Sequence, residues 1–204
     1  MPVCSTRCAT IFIPSVMARI CATCLAAWTV LAGVLDAAER TQTYDIAGAS
    51  VSELRESLNR RRPVGPDGLP HDAITVWDIR WRYTTAPSPG GCAVTSFDVS
   101  FDIVTTMPRW VDEADASSSS LVQRWRSYHA ALLVHEDGHK RIAADAVMAI
   151  RKVRDVAAPQ STCAEVSRLI AAAASRLLDE YREKERRYDV ETDHGRTQGA
   201  RFPS

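Results

Sequence analysis

The second half of the chain carries apolar residues at alternating steps of three and four, which is the period of one buried helix face. This stripe predicts a long helix from near Ser120 to near Ala157, stopped by Pro159, and its members are Leu121, Trp125, Tyr128, Leu132, Ile142, Ala146, Ile150 and Val153. A second stripe follows a capping box made by Thr162 and Glu165, and its members are Val166, Ile170, Ala173, Leu177 and Tyr181. Because the link between the two helices is short, we expect an antiparallel pair.

Two strands are marked by strict alternation of apolar and polar residues. The apolar faces are Trp77, Ile79, Trp81 and Tyr83 in the first strand and Phe97, Val99, Phe101 and Ile103 in the second. Such alternation is typical of an antiparallel sheet with one solvated face. We expect the arginines of the first strand to face the aspartates of the second, and we expect Pro108 to end the second strand.

A shorter strand and helix precede this hairpin. Thr41 to Ile46 reads as a strand, and Ser50 with Glu53 forms a capping box for a helix that ends near Arg62. Together the elements predict an α+β fold. In it a small antiparallel sheet packs on the long helix and on a second, antiparallel helix.

The N-terminus has the pattern of a secretory signal peptide. Arg7 and Arg19 precede an apolar run from Ile20 to Leu35, and two alanines follow at 37 and 38. We therefore expect residues 1–38 to be a signal peptide and residues 39–204 to form one domain, located in the periplasm or secreted. The apolar run is short for a membrane span, so we expect no stable span after cleavage; an uncleaved anchor is the alternative.

The cysteine content predicts a disulfide, and the net charge argues against nucleic-acid binding. Four of the six cysteines lie in the leader, and the remaining two, Cys92 and Cys163, read as one disulfide in an exported chain. The bridge would close a loop of about 70 residues. The formal net charge is +0 over 204 residues, without the basic excess that nucleic-acid binding requires.

The candidate chemistry lies on the long helix, in His135-Glu136-Asp137-Gly138-His139. This is the H-E-x-x-H pattern, in which histidines at i and i+4 share one helix face and can bind one Zn²⁺. Both histidines fall on the apolar stripe, where buried imidazoles need polar partners. Glu136 is the expected general base that takes a proton from water. Two satisfied core histidines beside a solvated glutamate are the alternative.

A catalytic zinc site needs a third protein ligand. Asp145 points away from the helix face that carries His135 and His139. If the two antiparallel helices turn back near residues 159–160, residues equally far from this turn lie side by side, which places residue 179 beside residue 139. Glu180 is therefore one candidate, unless it pairs with Lys184 on the surface. The other is His194, which follows the second helix.

The chain resembles a known bacterial family in its H-E-x-x-H helix, its Trp-rich paired strands with a hairpin cysteine, and its tail, which contains Tyr188-Asp189, Thr192-Asp193-His194-Gly195 and Gln198-Gly199. It is similar to the predicted secreted zinc-dependent proteases, long catalogued as a domain of unknown function. The resemblance covers the chain from about Tyr44 onward. It implies a zincin-like fold, hydrolysis of a peptide or protein substrate, and zinc bound by His135, His139 and His194, with Glu136 catalytic.

The remaining expectations concern groups around the metal. Tyr188 and Arg196 are candidates to stabilise the oxyanion, and Asp189 or Asp193 could hold the outer nitrogen of a ligand histidine. Other functions are a zinc-stabilised periplasmic binding protein without turnover and an envelope-assembly module. The sequence leaves open the substrate, any activating step and the oligomeric state.

Overall fold

The structure is a computed structural model that describes residues 37–156 and 162–202. The described residues form three strands, three longer helices and one single-turn helix. Their order is β1 (Ala37–Ile46), α1 (Val51–Arg61), β2 (Ile74–Ser88), β3 (Gly91–Trp110), α2 (Ser119–Arg151), the single turn α3 (Val153–Val156) and α4 (Cys163–Thr192). Short 3₁₀ helices span Glu113–Asp115 and Arg196–Gln198. The α+β class is confirmed. The predicted signal peptide, residues 1–38, lies almost wholly outside the described residues, as does Pro159.

The sheet is mixed, with the strand order β1-β3-β2. The β2–β3 hairpin is antiparallel, as expected from the alternating pattern, and sets Trp77 opposite Ile103 and Trp81 opposite Val99. The expectation of an all-antiparallel sheet was wrong, because β1 pairs in parallel with β3 from Ala37 to Ile46. This parallel partner comes from a distant part of the chain and leaves no local signal in the sequence.

The end of β3 also differs from expectation. Pro108 does not end β3 but lies opposite Tyr44 of β1. The last partner of β2 is Thr106, so at Pro108 the strand has a neighbour on one side only and no ladder bond to β2 is lost.

The charged pairs across the hairpin are only partly those expected. Arg82 faces Asp98, whereas Arg80 faces Ser100 and Asp78 faces Asp102. Asp102 instead forms an ion pair with Arg40 of β1. The parallel strand therefore supplies the positive charge that the antiparallel one does not.

The helix α2 is central to the packing. It begins after Ser118, whose hydroxyl accepts from the backbone N–H of Leu121, and it ends at Arg151 instead of near Ala157. The apolar stripe is buried as predicted, except that Ile142 is half-buried. Its first half packs under α1 and under residues 193–202, which follow α4 and are called the C-terminal tail below. Its second half packs on the sheet against Ile79 and Val99.

The helix α4 runs antiparallel to α2. Thr162 and Glu165 form the predicted capping box at its start, and its C-terminal part returns to the H-E-x-x-H segment. Cys92 and Cys163 lie at disulfide bonding distance, with a Cα–Cα distance of 5.0 Å. The bridge joins the β2–β3 hairpin to the first residue of α4. Cys92 is buried against Val166 and Ile170.

Within the part of the chain that the structure describes, every helix is too short or too polar to cross a bilayer.

Removal of the bridge should destabilise the fold strongly. Its two cysteines are 71 positions apart, and closing a loop of this size in the unfolded chain is worth about 4 kcal/mol. We expect the double variant C92A/C163A to lose about that free energy of unfolding, measured by urea titration of the oxidised protein and the variant. Equal unfolding midpoints for the two would contradict the bridge.

Candidate metal centre

The helix α2 brings two imidazole rings together inside the protein. His135 and His139 are one helical turn apart, 5% and 7% exposed, and their ring centroids are 4.8 Å apart. Their Nε2 atoms are 3.3 Å apart. The spacing of four residues therefore places both nitrogens at one point, as the motif predicted.

A carboxylate from α4 completes this cluster. Asp189 Oδ1 lies 3.2 Å from Nε2 of His135 and 3.1 Å from Nε2 of His139. Among the described residues, these three side chains form a group that could hold a metal ion. Ligands at about 2.0–2.1 Å around a tetrahedral ion lie about 3.3–3.4 Å from one another. The three observed separations fit that geometry.

The outer nitrogens of both rings are held by other side chains. Nδ1 of His135 lies 3.0 Å from Oε1 of Gln198, and Nδ1 of His139 lies 3.3 Å from Oε1 of Glu185. An acceptor at Nδ1 fixes the tautomer that leaves Nε2 free as a lone-pair donor. Both rings are therefore oriented for coordination through Nε2.

Electrostatics of the cluster follow from its burial and its charges. Burial works against the imidazolium form of His139, but hydrogen bonds to Asp189 and Glu185 outweigh burial and raise its pKa to about 10. Burial likewise works against the carboxylate of Asp189, yet hydrogen bonds to His135 and His139 hold its pKa well below the ordinary range. A positive charge is thus strongly favoured here, supplied by a proton or by a metal ion.

These shifts set the pH range in which the metal-free cluster stabilises the fold. The raised pKa of His139 gives stabilisation that is complete below its ordinary value of 6.5 and lost as the pH rises through about 10. The lowered pKa of Asp189 gives stabilisation that is complete above its ordinary value of 3.8 and lost in stronger acid. Without a metal, both contributions are complete between these two ordinary values.

Glu136 is buried beside the cluster, at 2% exposure. The Thr75 hydroxyl donates to its Oε2 atom at 2.7 Å, and the hydroxyls of Thr75 and Thr105 are 3.0 Å apart. Burial raises the pKa of Glu136, and the Thr75 hydrogen bond opposes this rise. The alternative of a solvated glutamate does not fit this burial. A buried carboxyl with a raised pKa suits proton transfer near neutral pH.

A cavity of about 530 Å³ opens beside this carboxyl. His135, Glu136 and His194 line it, together with residues of the loop before β2 and of the C-terminal tail. A molecule in the cavity would therefore meet Glu136 and one face of the histidine cluster.

Tyr188 packs against both histidines from α4. Its ring stacks on His135 with centroids 5.1 Å apart and meets His139 edge-on. Its hydroxyl donates to the backbone carbonyl of His135 at 3.1 Å and accepts from the amide of Gln198 at 3.0 Å. These bonds tie the hydroxyl to the motif helix. Its role as an oxyanion donor stays a prediction.

The two sequence-based candidates for the third ligand lie outside the cluster of three. Glu180 is exposed and pairs with Lys184 at 2.9 Å, which was the surface alternative. His194 is half exposed, and its Nδ1 lies 3.6 Å from Oδ1 of Asp189. The third position is held by Asp189, which the sequence suggested only as a partner for a ligand. His194 as a ligand stays a prediction.

Arg196, the other oxyanion candidate, lines the cavity. Its Nε is 3.3 Å from Oδ2 of Asp193, with both side chains exposed.

Three consecutive residues turn the tail back toward the motif. Asp193, His194 and Gly195 all have positive φ, at 48°, 51° and 81°. A Cβ on Gly195 would lie 3.0 Å from His135, so glycine is required both by the backbone and by this close approach. The turn allows Gln198 to reach His135.

Several residues of the site carried little sequence signal. Glu185 precedes Asp189 by one helical turn, so a search along that face of α4 could have found both. Gln198 belongs to the tail pattern but received no role. Thr75 had no signal, because its contact with Glu136 joins residues 61 positions apart.

The fold and site define an α+β protein with a largely buried His-His-Asp cluster, a neighbouring glutamate and an open cavity. Residues 41–195 match the family model described as "Bacterial protein of unknown function (DUF922)". The chain belongs to this bacterial family. No curated protein and no solved structure gave a match.

Gly138 within the motif should be intolerant of a side chain. A Cβ at this position would lie 2.0 Å from the Tyr188 hydroxyl oxygen. Helix propensity alone predicts that Gly138→Ala stabilises by about 1 kcal/mol, whereas overpacking costs about 1–3 kcal/mol. We expect Gly138→Ala to lower the free energy of unfolding by urea titration.

A double-mutant cycle provides the control for this substitution. In a Tyr188→Ala background the clash is absent, so Gly138→Ala should be neutral or stabilising there. The same destabilisation in both backgrounds would show that the contact with Tyr188 is not the cause.

Proposed function

We propose that the protein is a secreted zinc-dependent metallopeptidase with a zincin-like site. The observation that carries this proposal is Glu136, a buried carboxyl that adjoins a three-ligand cluster and lines an open cavity. A catalytic zinc site has three protein ligands and an open position, and a proton acceptor beside it completes the requirements for hydrolysis. The disulfide and the predicted leader support an extracellular or periplasmic location.

In this proposal the residues of the site bind the metal ion, position its ligands or transfer a proton. His135, His139 and Asp189 would hold the ion, with Glu185 and Gln198 keeping the rings in place. When bound, zinc supplies Lewis acidity that lowers the pKa of water and polarises a peptide carbonyl. Glu136 accepts the proton from the attacking water and delivers it to the leaving amine. Thr75 fixes the carboxyl through its hydrogen bond.

A closed, non-catalytic zinc site in a periplasmic binding or envelope-assembly protein is the second candidate. It is favoured by the position of His194, whose Nδ1 lies 3.6 Å from Asp189 and could close the fourth position. In that case Glu136 would be dispensable. The two candidates differ in whether zinc-loaded protein turns over a substrate.

Asp189 should be needed for zinc binding. We expect Asp189→Asn to weaken zinc affinity by at least about 100-fold, because even loss of an outer partner costs 10–100-fold. The measurement is competition with a chromophoric chelator at pH 7.5. Glu180→Gln is the matched control on the same helix, where the side chain is exposed and paired with Lys184, and should bind like the parent.

His194→Ala in the same assay separates the possible ligand sets. Retained affinity would support the Asp189 set. A loss with His194→Ala, combined with full affinity of Asp189→Asn, would give the third position to His194.

Glu136 should be needed for turnover but not for zinc. We expect Glu136→Gln to lower kcat by about 10²–10⁴-fold, the usual contribution of general base catalysis, with zinc content unchanged by elemental analysis. Cleavage is measured on a peptide library by mass spectrometry. Glu183→Gln, an exposed change on α4, is the control. If zinc-loaded parent protein cleaves no peptide, the binding-protein alternative stands.

A further inference from the structure

The lining of the cavity is rich in arginine. Four arginines line the cavity, whereas Glu136 and Asp72 are the only carboxylates among the described residues that do; the arginines are Arg55, Arg62, Arg196 and Arg201. The cavity volume of about 530 Å³ falls within the range of sites that enclose small ligands. A pocket of this charge balance favours an anionic occupant.

Arg55 is fixed rigidly in this lining. Its Nη1 donates to Oδ2 of Asp72 at 2.7 Å, and its guanidinium lies 5.5 Å from the ring centre of Phe202 and 5.8 Å from that of Tyr128. Tyr128 also donates to Asp72. Both bonds end on Oδ2 of Asp72, whereas its buried Oδ1 atom has no hydrogen-bond partner among the described residues.

Two of the lining arginines have no carboxylate within hydrogen-bond distance among the described residues. Arg62 Nη1 remains 3.7 Å from Oδ1 of Asp72, beyond hydrogen-bond distance. Arg201 donates through Nε to the neutral backbone carbonyl of Arg196 at 3.0 Å. Arg62 thus shares Asp72 with Arg55 at a longer distance, and Arg201 has no ion pair among the described residues. Guanidinium groups in a partly enclosed pocket bind carboxylates through paired N–H donors.

Apolar residues form another part of the lining, beside Tyr128 and the histidines. They are Leu69, Pro70, Ala73, Leu132, Ala200 and Phe202. Such a wall can accept the aliphatic part of an amino-acid residue, while the arginines take its charged end.

From these observations we infer that the cavity is a specificity pocket for a carboxylate of the peptide substrate, held by Arg62 and Arg201 beside the bond that Glu136 helps to cleave. The inference rests on the proposed peptidase function and names its substrate class. The carboxylate can belong to an aspartate or glutamate side chain or to the C-terminus of the peptide, because the same guanidinium chemistry recognises both.

The test uses zinc-loaded full-length protein and three matched peptide sets. The first carries one Asp or Glu and an amidated C-terminus, the second has Asn or Gln at that position, and the third is the second with a free C-terminal carboxylate. We expect kcat/KM for at least one carboxylate set to exceed that of the neutral set by about 10-fold or more, the equivalent of about 1.4 kcal/mol. A higher value for the first or the third set identifies the source.

Arginine variants connect that preference to the pocket. Arg62→Gln and Arg201→Gln should each reduce the ratio of carboxylate to neutral cleavage several-fold, through KM, and the double variant should abolish it. Arg62→Lys and Arg201→Lys retain the charge and should retain part of the ratio. Arg80→Gln, an exposed change on β2 outside the cavity, is the matched control. Thermal unfolding of every variant verifies the fold.

Binding to a variant that cannot turn over separates the two proposals. The same peptides are titrated into zinc-loaded Glu136→Gln protein by calorimetry. Selective carboxylate binding without cleavage by the parent would overturn the peptidase function and keep the pocket. Cleavage without preference, or a ratio unchanged in the double arginine variant, would overturn the pocket and keep the peptidase function. Equal binding of all sets, with no cleavage, would overturn both.

Discussion

The structure depends on one electrostatic constraint, the convergence of two imidazole nitrogens and a carboxylate oxygen within 3.1–3.3 Å of one another. Lone pairs that close to one another in a largely buried site repel unless a positive charge lies among them. In the metal-free protein a proton on His139 can supply that charge, which is why its pKa is raised to about 10. His135, His139 and Asp189 could hold a divalent ion in place of this proton, and in that case metal binding and deprotonation would be linked.

The C-terminal tail holds one histidine of this cluster in place, and it does so in a backbone conformation that costs free energy. Asp193 and His194 both adopt positive φ, a conformation that costs non-glycine residues about 1–2 kcal/mol each. The cost is offset by bonds that end α4, since the His194 N–H donates to the carbonyl of Asp189 and the Gly195 N–H donates to the Thr192 hydroxyl. The strained turn is useful because it carries Gln198 back to the outer nitrogen of His135.

The sequence predicted well what local periodicity controls and poorly what depends on distant pairing. The helix faces, the Thr162 capping box and the antiparallel pairing of β2 with β3 follow from spacing along the chain, whereas the exact cross-strand partners do not. The parallel partner of β3 and the contact of Thr75 with Glu136 do not, because each joins segments about 60 residues apart. Glu180 was selected by assuming that α2 and α4 turn back on each other near residue 159, so that residues equally far from this point lie side by side. The contacts of His139 with Glu185 and Asp189 instead place that midpoint at residues 162–164. That shift corresponds to more than one helical turn of α4, enough to exchange the exposed Glu180 for the half-buried Asp189.

An aspartate in the third position also alters the electrostatics that Glu136 experiences. Burial raises the pKa of Glu136, and the negative charge of Asp189 adds to that rise, while Thr75 and the histidines oppose it. A divalent ion held by two neutral imidazoles and one carboxylate keeps one net positive charge, which favours the ionised form of the neighbouring glutamate. In the proposed hydrolysis, burial would stabilise the acid form of Glu136 until the leaving amine accepts the proton. The same low-polarity surroundings therefore suit both halves of a proton transfer, provided that the cation is present for the first.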